Sequence, residues 1–221
     1  MSAFFPFELE PPPWMYRHLA RGPLMQRMYR RVAADLAEAM PTGGLLIDVG
    51  AGPGHLANLV AKKRPDLQLV ALDWSWTMLR PMPRRQAMEN TGPPPLSRIV
   101  GDSAKLPLRG ACCDLAMATF SFHTWNDPVQ GVKEMRRLLK PHGQAWIYEM
   151  NREAVWGQWQ ALAREENLPA LFVAAGFKLL SWNHALRSRD FAATFEQAGI
   201  LEWQLQPVHH LFWRAVFYSN E

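Results

Sequence analysis

The chain has 221 residues, of which 48% are hydrophobic and 20% are charged, and its formal net charge is +4. This length suits one domain with a full-sized core, with room for a small cap, and the composition is ordinary for a globular protein. No apolar run reaches the roughly 20 residues that span a bilayer, so we expect no membrane span. The two cysteines, Cys112 and Cys113, are adjacent, and neighbours in sequence rarely form a disulfide. Because the first residues also lack the pattern of a signal peptide, we expect a cytoplasmic protein with reduced thiols.

The net positive charge poses the question of a nucleic-acid partner. Most basic residues alternate with apolar positions at helical spacing, which is typical of solvated helix faces. They are spread along the chain as Arg27, Arg30, Arg31, Lys62, Lys63, Arg64, Arg84, Arg85, Arg136, Arg137 and Lys140. Neither a zinc-finger spacing nor an RNA-binding aromatic signature accompanies them. We therefore do not expect a nucleic acid as the partner, and with no third cysteine we expect no metal site.

Strand and helix signals alternate as far as residue 150. Apolar residues at helical spacing predict helices at 23–40, from 56 onwards, in part of 76–88 and around 132–139. Short apolar runs predict buried strands at 45–49, 67–72, 97–100, 114–120 and 144–149, the last after a turn at 141–143. This alternation is typical of a doubly wound α/β fold with a mostly parallel sheet.

The pattern changes after residue 150. Residues 151–190 are predicted to form a crossover or cap, and 191–198 a helix that Gly199 ends. Period-two alternation predicts strands at 201–205 and 211–218. The link between them is too short for a parallel crossover, so these two strands should pair antiparallel.

Four segments follow from this reading. They are a proline-rich, aromatic arm at 1–23, a ligand-binding core at 24–150, a cap at 151–190, and a C-terminal helix with a strand pair at 191–221 that completes the core.

The strongest local signal is a buried strand that runs into closely spaced glycines and then a helix. From Asp48 to Gly54 the chain reads Asp-Val-Gly-Ala-Gly-Pro-Gly. In an open α/β sheet such a turn lies at the carboxyl ends of the strands, where ligands bind, and glycine lets a ligand approach the backbone closely. The spacing differs from the G-x-G-x-x-G of dinucleotide sites, which disfavours a nicotinamide oxidoreductase. A purely structural turn is the alternative.

Asp73 ends the next predicted strand. A carboxylate at this place can accept two hydrogen bonds from ribose hydroxyls, so it indicates an adenosine ribose without naming the cofactor. A carboxylate that only caps a helix is the alternative.

These features, with three later segments, resemble the class I S-adenosylmethionine-dependent methyltransferases, in particular the small-molecule group that includes the ubiquinone and menaquinone methyltransferases. The later segments are Gly-Asp-Ser-Ala-Lys-Leu-Pro-Leu at 101–108, the strand and loop at 114–123, and the helix and turn at 134–143. The resemblance covers residues 25–150 well and the remainder loosely. One departure is His142, where the family usually has a second glycine. The resemblance implies a Rossmann-like sheet of seven strands with an antiparallel C-terminal strand and a small helical cap.

The resemblance also implies a cofactor, S-adenosylmethionine, which leaves as S-adenosylhomocysteine. The first motif would embrace its methionine part and ribose, Asp73 would bind the ribose with Trp74 beside the adenine, and Asp102 would bind the exocyclic amine. Ser103 would contribute a backbone amide. The predicted cofactor-binding residues are Asp48, Gly50, Ala51, Gly52, Gly54, Asp73, Trp74, Asp102, Ser103 and Thr119.

His123 is the candidate catalytic residue. It follows the fourth strand at the ligand edge of the sheet, and an imidazole suits a general base. Loop packing and a cofactor contact are the alternatives. Glu149 ends the fifth strand, where it would either face the acceptor or form an ion pair. Methyl transfer needs mainly the positioning of its two reactants, so a base is required only if the acceptor loses a proton.

Ten tryptophans are many for this length. Aromatic walls suit a planar or apolar acceptor, although a small cap also needs large side chains for its own core. The tryptophans predicted near the acceptor cleft are Trp14, Trp125, Trp156, Trp159 and Trp182.

We therefore predict an enzyme that transfers a methyl group to a small, apolar or aromatic metabolite by in-line displacement. An RNA or protein methyltransferase is one alternative, although the segment after the fourth strand lacks the Asn/Asp-Pro-Pro-Tyr/Phe motif. A non-catalytic subunit that binds S-adenosylmethionine is the other. The sequence gives no prediction of the oligomeric state.

Overall fold

The structure is a computed structural model that describes residues 22–82, 96–181 and 184–219. Most of the predicted arm, residues 1–21 with Trp14, lies outside the described residues. So do residues 83–95, which include the end of the helix predicted at 76–88, and Trp182.

The described residues form one sheet of seven strands. In chain order these strands are β1 (Leu45–Val49), β2 (Gln68–Asp73), β3 (Leu96–Val100), β4 (Cys113–Thr119), β5 (Leu139–Met150), β6 (Trp203–Val208) and β7 (Phe212–Tyr218). Their order across the sheet is β3-β2-β1-β4-β5-β7-β6. The pairs among β1 to β5 are parallel, and β7 is antiparallel to both β5 and β6. The predicted mostly parallel sheet with an antiparallel C-terminal pair is thereby confirmed.

Helices connect the parallel strands and form the cap. They are α1 (Pro23–Ala39), α2 (His55–Lys63), α3 (Trp76–Leu79), α4 (Pro128–Leu138), α5 (Trp156–Glu166), α6 (Ala170–Ser181) and α7 (Ser188–Ala198), with a 3-10 helix at Phe122–Thr124. The side chain of Asp127 caps α4 by accepting a hydrogen bond from the Gln130 amide at 2.9 Å. Gly199 ends α7 with a φ of 69°, as predicted for a glycine just past a helix.

Apolar side chains of the parallel strands alternate between two cores, one on each face of the sheet. On one face Leu69 and Met117 pack with residues of α1, α2 and α5. On the other face Ile47 and Ala116 pack with residues of α4 and α7. Because helices cover both faces, ligand access is left to the ends of the strands.

The turn predicted at 141–143 lies inside β5 rather than before it. Leu139 already pairs with Cys113, and the register then shifts between Cys113 and Leu115. His142 has a φ of 63°, in the left-handed region that favours glycine. The residues of the predicted turn therefore form an irregularity within the ladder.

Helix α1 is tied to the rest of the molecule by polar contacts at its side. Arg31 lies 2.8 Å from Glu165 of α5, and Asp35 accepts a hydrogen bond of 2.8 Å from the Tyr148 hydroxyl of β5. These contacts hold the helix that carries Tyr29 toward the carboxyl ends of the strands.

Packing of α1 can be tested with Leu36, which is fully buried. Leu36→Ala should lower the free energy of unfolding by about 2–5 kcal/mol, because the methyl groups it removes leave a cavity. The matched control, Leu201→Ala, changes a side chain that is 90% exposed, so its effect should stay within about 0.5 kcal/mol. Urea denaturation measures both, and equal effects would contradict the placement of α1 against the core.

Candidate active site

The predicted site residues collect at one edge of the sheet. Because β1 to β5 are parallel, the residues at and after their carboxyl ends share this edge. The structure brings together Asp48, Gly50, Ala51, Gly52 and Gly54 at β1 and its turn, Asp73 and Trp74 at β2, Asp102 and Ser103 after β3, Thr119 and His123 at β4 and its loop, and Glu149 near the end of β5.

The turn after β1 packs against the loop after β4 through a glycine. The amides of Gly50 and Ala51 both donate to the Leu72 carbonyl, at 2.7 and 2.9 Å. Gly50 has a φ of 79°, and a Cβ there would lie 2.4 Å from Ser121 Oγ. Ser121 is itself fixed, since its hydroxyl donates to the Val49 carbonyl at 3.0 Å. The two loops therefore meet with no room for a side chain at position 50.

Asp73 holds the glycine turn in place. Its Oδ2 accepts a hydrogen bond from the Gly52 amide at 2.9 Å, and its Oδ1 accepts one from the Ser75 amide at 2.9 Å. The side chain is buried, and burial raises its pKa although both amides oppose the shift. The bond to Gly52 crosses from β2 to the turn after β1, so this carboxylate does more than cap a helix. The neighbouring Trp74 is 78% exposed.

A small pocket opens between the glycine turn, α1 and the end of β4. Asp48 lines it and is buried, and this burial, reinforced by the charge of Asp73, raises the pKa of Asp48 to about 7. Thr119 Oγ1 is buried there without a hydrogen-bond partner among the described residues. Tyr29 and His55 complete the lining, with ring centroids 5.9 Å apart. The pocket therefore contains a carboxyl whose pKa is about 7 and a buried hydroxyl that has no hydrogen-bond partner among the described residues.

The turn that carries Asp102 lies beside Asp73. The Gly101 amide donates to the Asp73 carbonyl at 3.1 Å, which links the ends of β3 and β2. Asp102 is exposed, and its Oδ1 accepts a hydrogen bond from the Ala104 amide at 2.9 Å. The turn after β3 thus places Asp102 one residue beyond the backbone contact with Asp73.

Two residues of α4 anchor this turn, and the sequence analysis assigned one of them, Arg137, to a solvated helix face. Glu134 is buried and accepts a hydrogen bond from the Leu106 amide at 2.8 Å. Arg137 binds Glu134 at 2.7 Å and also donates to the Leu108 carbonyl at 2.9 Å. Arg137 stays exposed although it bonds this turn, whereas Glu134 is buried because the turn at 101–108 folds over it. The charged pair three residues apart was the available signal.

His123 forms a close pair with Glu149. The His123 Nδ1 lies 3.1 Å from both carboxylate oxygens, and its backbone amide donates to Oε1 at 3.2 Å. Glu149 is fully buried. The ring of His184, which lies between α6 and α7, is 4.9 Å from that of His123 between centroids. Side chains from the β4 loop, from β5 and from the link between α6 and α7 therefore meet at the ligand edge.

Of the tryptophans predicted near the acceptor, Trp125, Trp156 and Trp159 are described. Trp159 is 5% exposed and belongs to the hydrophobic core on the face of the sheet that α1 and α2 cover, whereas Trp156 on the same helix is 48% exposed. Trp125 packs edge-on against Phe122, and its Nε1 lies 3.8 Å from the position of a Cβ at Gly50. Trp125 thus lies beside the glycine turn, while Trp159 is a core residue.

An open, mostly parallel sheet with a glycine turn after β1 and a buried acid ending β2 defines a nucleoside-binding α/β protein. No group of three or more His, Cys, Asp or Glu side chains suited to a metal ion occurs within residues 22–82, 96–181 and 184–219. None of the helices in the described part of the chain has the length and apolar character to cross a membrane.

Comparisons with known proteins narrow this class. Residues 47–147 match the methyltransferase domain family. The chain is 31% identical over 136 residues to the uncharacterized methyltransferase YdaC of Bacillus subtilis. The aligned region covers 62% of this chain and 72% of YdaC. It is 30% identical over 195 residues to the demethylmenaquinone methyltransferase of Renibacterium salmoninarum. This alignment covers 88% of this chain and 76% of that enzyme.

Solved structures share the fold. A SAM-dependent methyltransferase from Aquifex aeolicus superposes with a TM-score of 0.67 at 16% identity, covering 94% of this chain and 98% of that one. A putative S-adenosyl-L-methionine-dependent methyltransferase from Methanococcus maripaludis gives a TM-score of 0.67 at 21% identity, covering 100% of this chain and 98% of that one. The chain belongs to the class I S-adenosylmethionine-dependent methyltransferases, and S-adenosylmethionine is its cofactor.

The raised pKa of Asp48 predicts how stability depends on pH without cofactor. The pKa of Asp48 is near 7 in the folded state, above its value in the unfolded chain. Between about pH 4 and pH 7 the folded state therefore holds a proton on Asp48 that the unfolded chain has released, and the free energy of unfolding falls as pH rises through this range. Asp48→Asn should remove this fall, so its stability relative to the wild type should increase by up to about 1.4 kcal/mol for each pH unit.

Urea denaturation near pH 5 and near pH 8 measures this difference. Asp66→Asn is the matched control, because Arg64 and the Gly43 amide hold the pKa of Asp66 well below its usual range. Its carboxyl is ionised in folded and unfolded chains at both pH values, so the effect of its replacement should not change between them. A constant effect of Asp48→Asn as well would contradict the raised pKa.

Proposed function

We propose that the enzyme transfers the methyl group to a small, apolar or aromatic metabolite by in-line displacement. The observation that carries the proposal is the pocket beside the glycine turn, which opens at the same edge as the loop that bears His123. S-adenosylmethionine supplies a methyl group bonded to a positively charged sulfur. Such a transfer needs the donor and acceptor to be held in line at contact distance, which two closely packed loops favour.

We assign cofactor binding to the residues around the glycine turn. An ammonium beside Asp48 would stabilise a carboxylate whose ionisation is disfavoured by burial. Asp73 would accept ribose hydroxyls with the lone pairs that Gly52 and Ser75 leave unused, and the buried Thr119 hydroxyl would gain a partner. The full proposed set is Asp48, Gly50, Ala51, Gly52, Gly54, Asp73, Trp74, Asp102, Ser103 and Thr119.

Two observations support a small-molecule acceptor over a nucleic acid. Several relatives are named demethylmenaquinone methyltransferases, for a small-molecule acceptor. In addition, many basic side chains in the described part of the chain bind acids rather than present an open positive surface. These are Arg27, Arg31, Arg64, Arg137 and Lys140.

Two of the described tryptophans are candidates for an aromatic wall at the acceptor. These are Trp125 beside Gly50 and the half-exposed Trp156, whereas Trp159 is buried in the hydrophobic core. The four predicted segments and the cytoplasmic location stay predictions.

The first test of the proposal is cofactor affinity. Asp73→Ala should weaken binding of S-adenosylmethionine and S-adenosylhomocysteine by about 1.5–3 kcal/mol, because hydrogen bonds to a charged group are lost. Asp66→Ala is the matched control, since Asp66 precedes β2 and Asp73 ends it, which puts Asp66 at the opposite edge of the sheet. Isothermal calorimetry measures both affinities. Equal loss in the two variants, or binding of NAD in place of both ligands, would contradict the assignment.

The second test concerns the acceptor. Incubation of the enzyme and methyl-labelled cofactor with a metabolite extract should label a small apolar compound, while total RNA and protein stay unlabelled. If a phosphate backbone were the partner, filter binding of RNA and DNA would be tight and would fall steeply with salt. Strongly salt-dependent binding together with label in nucleic acid would overturn the small-molecule proposal. If the protein binds the cofactor but no product is labelled, the result would favour the alternative of a non-catalytic subunit that binds S-adenosylmethionine.

A further inference from the structure

We propose that the ammonium group of the cofactor displaces a proton from Asp48 when it binds, that the Thr119 hydroxyl is its second contact, and that cofactor affinity therefore falls as pH falls below neutrality. This inference rests on the proposed assignment of the cofactor-binding residues and adds the way in which that site responds to pH. It is carried by the pocket between the glycine turn, α1 and the end of β4, which both side chains line and in which both are buried.

Asp48 and Thr119 lie on the same face of the sheet. The strands β1 and β4 are parallel neighbours, and Asp48 stands opposite Met117 in their register. Because successive side chains along a strand point to opposite faces, Thr119, two residues beyond Met117, shares the face of Asp48. Met117 belongs to the core that α1 and α2 cover, so this is the face on which Tyr29 of α1 lines the pocket.

Neither side chain has its hydrogen bonds satisfied by the described part of the chain. Asp48 is 4% exposed, and no hydrogen bond offsets the effect of its burial. The amides of Gly50 and Ala51, which follow it in the turn, donate to the Leu72 carbonyl instead. Thr119 is 7% exposed, and its Oγ1 has no partner. Because buried polar groups without partners are costly, the pocket suits a ligand that donates several hydrogen bonds, and an ammonium has three to give.

The charges around the pocket favour the same ligand. The carboxylate of Asp73, which ends the neighbouring strand β2, adds to the negative potential at Asp48. The other titratable side chains that line the pocket are Tyr29 from α1 and His55 from α2, and neither a lysine nor an arginine lines it among the described residues. An ammonium would therefore bring a positive charge to Asp48, whereas the carboxylate end of the cofactor would be repelled from it.

Without cofactor, Asp48 is a neutral acid in mildly acidic solution. Burial, reinforced by the charge of Asp73, raises the pKa of Asp48 to about 7, so at pH 6 most molecules carry a proton on this carboxyl. When the ammonium binds, the carboxyl O–H bond breaks, its electron pair remains on the carboxylate, and the proton passes to solvent. A neutral acid and a free ammonium thus become a carboxylate–ammonium pair and one released proton, which balances in atoms and charge.

This exchange determines the sign of the pH dependence. Above about pH 7 the carboxylate is already formed, so the ammonium binds without releasing a proton from Asp48. Below about pH 7 the ammonium competes with the proton, so cofactor affinity should fall by up to about tenfold for each pH unit.

Calorimetry in buffers of different ionisation enthalpy counts the protons released when S-adenosylhomocysteine binds. At pH 6 the wild type should release between about 0.5 and 0.9 of a proton per ligand, the upper value being the fraction of Asp48 that a pKa of about 7 leaves protonated. Asp48→Asn has no such proton and should release close to none. Asp66→Asn is the matched control and should keep the wild-type value, because the pKa of Asp66 lies well below its usual range. No release by the wild type, or undiminished release by Asp48→Asn, would overturn the proposal.

A deamino analogue of S-adenosylhomocysteine tests which end of the ligand displaces the proton. This compound keeps the adenosine, the thioether and the carboxylate and lacks only the amino group. Its binding should release close to no proton, and the preference of the wild type for S-adenosylhomocysteine over it should grow by at least about tenfold from pH 5 to pH 7. Equal proton release with both ligands, or a preference that is constant with pH, would refute the role of the ammonium. The comparison needs only the wild type, so it decides the proposal even if Asp48→Asn does not fold.

The contact with Thr119 is tested by Thr119→Val, which removes the hydroxyl and keeps the branched shape. The preference for S-adenosylhomocysteine over the deamino analogue at pH 7 should shrink by about tenfold, because a hydrogen bond to a charged group is lost. Thr194→Val is the matched control, since the Thr194 hydroxyl donates to the Asp190 carbonyl within α7 at 2.9 Å, and it should leave the preference unchanged. An unchanged preference in Thr119→Val would remove Thr119 from the ammonium contact.

The same titrations separate this inference from the proposed function. A wild-type protein that does not bind S-adenosylhomocysteine defeats both. Normal affinity without proton release defeats only the inference, and label in nucleic acid defeats only the small-molecule acceptor.

Discussion

Two carboxylates buried at neighbouring strand ends govern the electrostatics of the ligand edge. Asp73 is compensated by the amides of Gly52 and Ser75, so its charge serves to hold the glycine turn. Asp48 has no comparable donor among the described residues, and its pKa is raised to about 7 by burial and by the charge of Asp73. A positive group bound beside Asp48 would therefore stabilise the ionised form of this carboxyl.

The contact between Gly50 and Ser121 joins the turn after β1 to the loop after β4. A Cβ at position 50 would overlap the serine side chain, so the two segments pack directly against each other. Trp125 approaches the same point from the far end of the β4 loop. Under the proposed function, donor and acceptor would be held by one packed unit rather than by two separate loops, which favours a precise line of approach.

Signals that are local in sequence were enough to predict the parallel strands, the glycine turn and the β2 acid. Each of these features depends on a few consecutive residues. A buried parallel strand is a continuous apolar run, and a close approach of two backbone segments requires glycine. The start of β5 was missed because its irregular first residues are held by pairing with Cys113, far away in the chain. The burial of Glu134 cannot be predicted from its local sequence either, because only the folded turn at 101–108 covers it. The His123–Glu149 pair joins residues 26 apart, and no local pattern encodes such a contact.

The energetics of that pair bear on what it is for. Burying a carboxylate opposite an imidazole costs desolvation free energy that the contact only partly returns, and an apolar residue in place of a buried charge is often neutral or stabilising. The interior around the end of β5 also holds apolar side chains such as Phe212, opposite Met150 in the ladder. Among them the fully buried Glu149 bonds both the ring and the backbone of His123, so it links the loop after β4 to the end of β5 at the ligand edge. Glu134 has a comparable task in α4, because its buried carboxylate holds a backbone turn and an arginine.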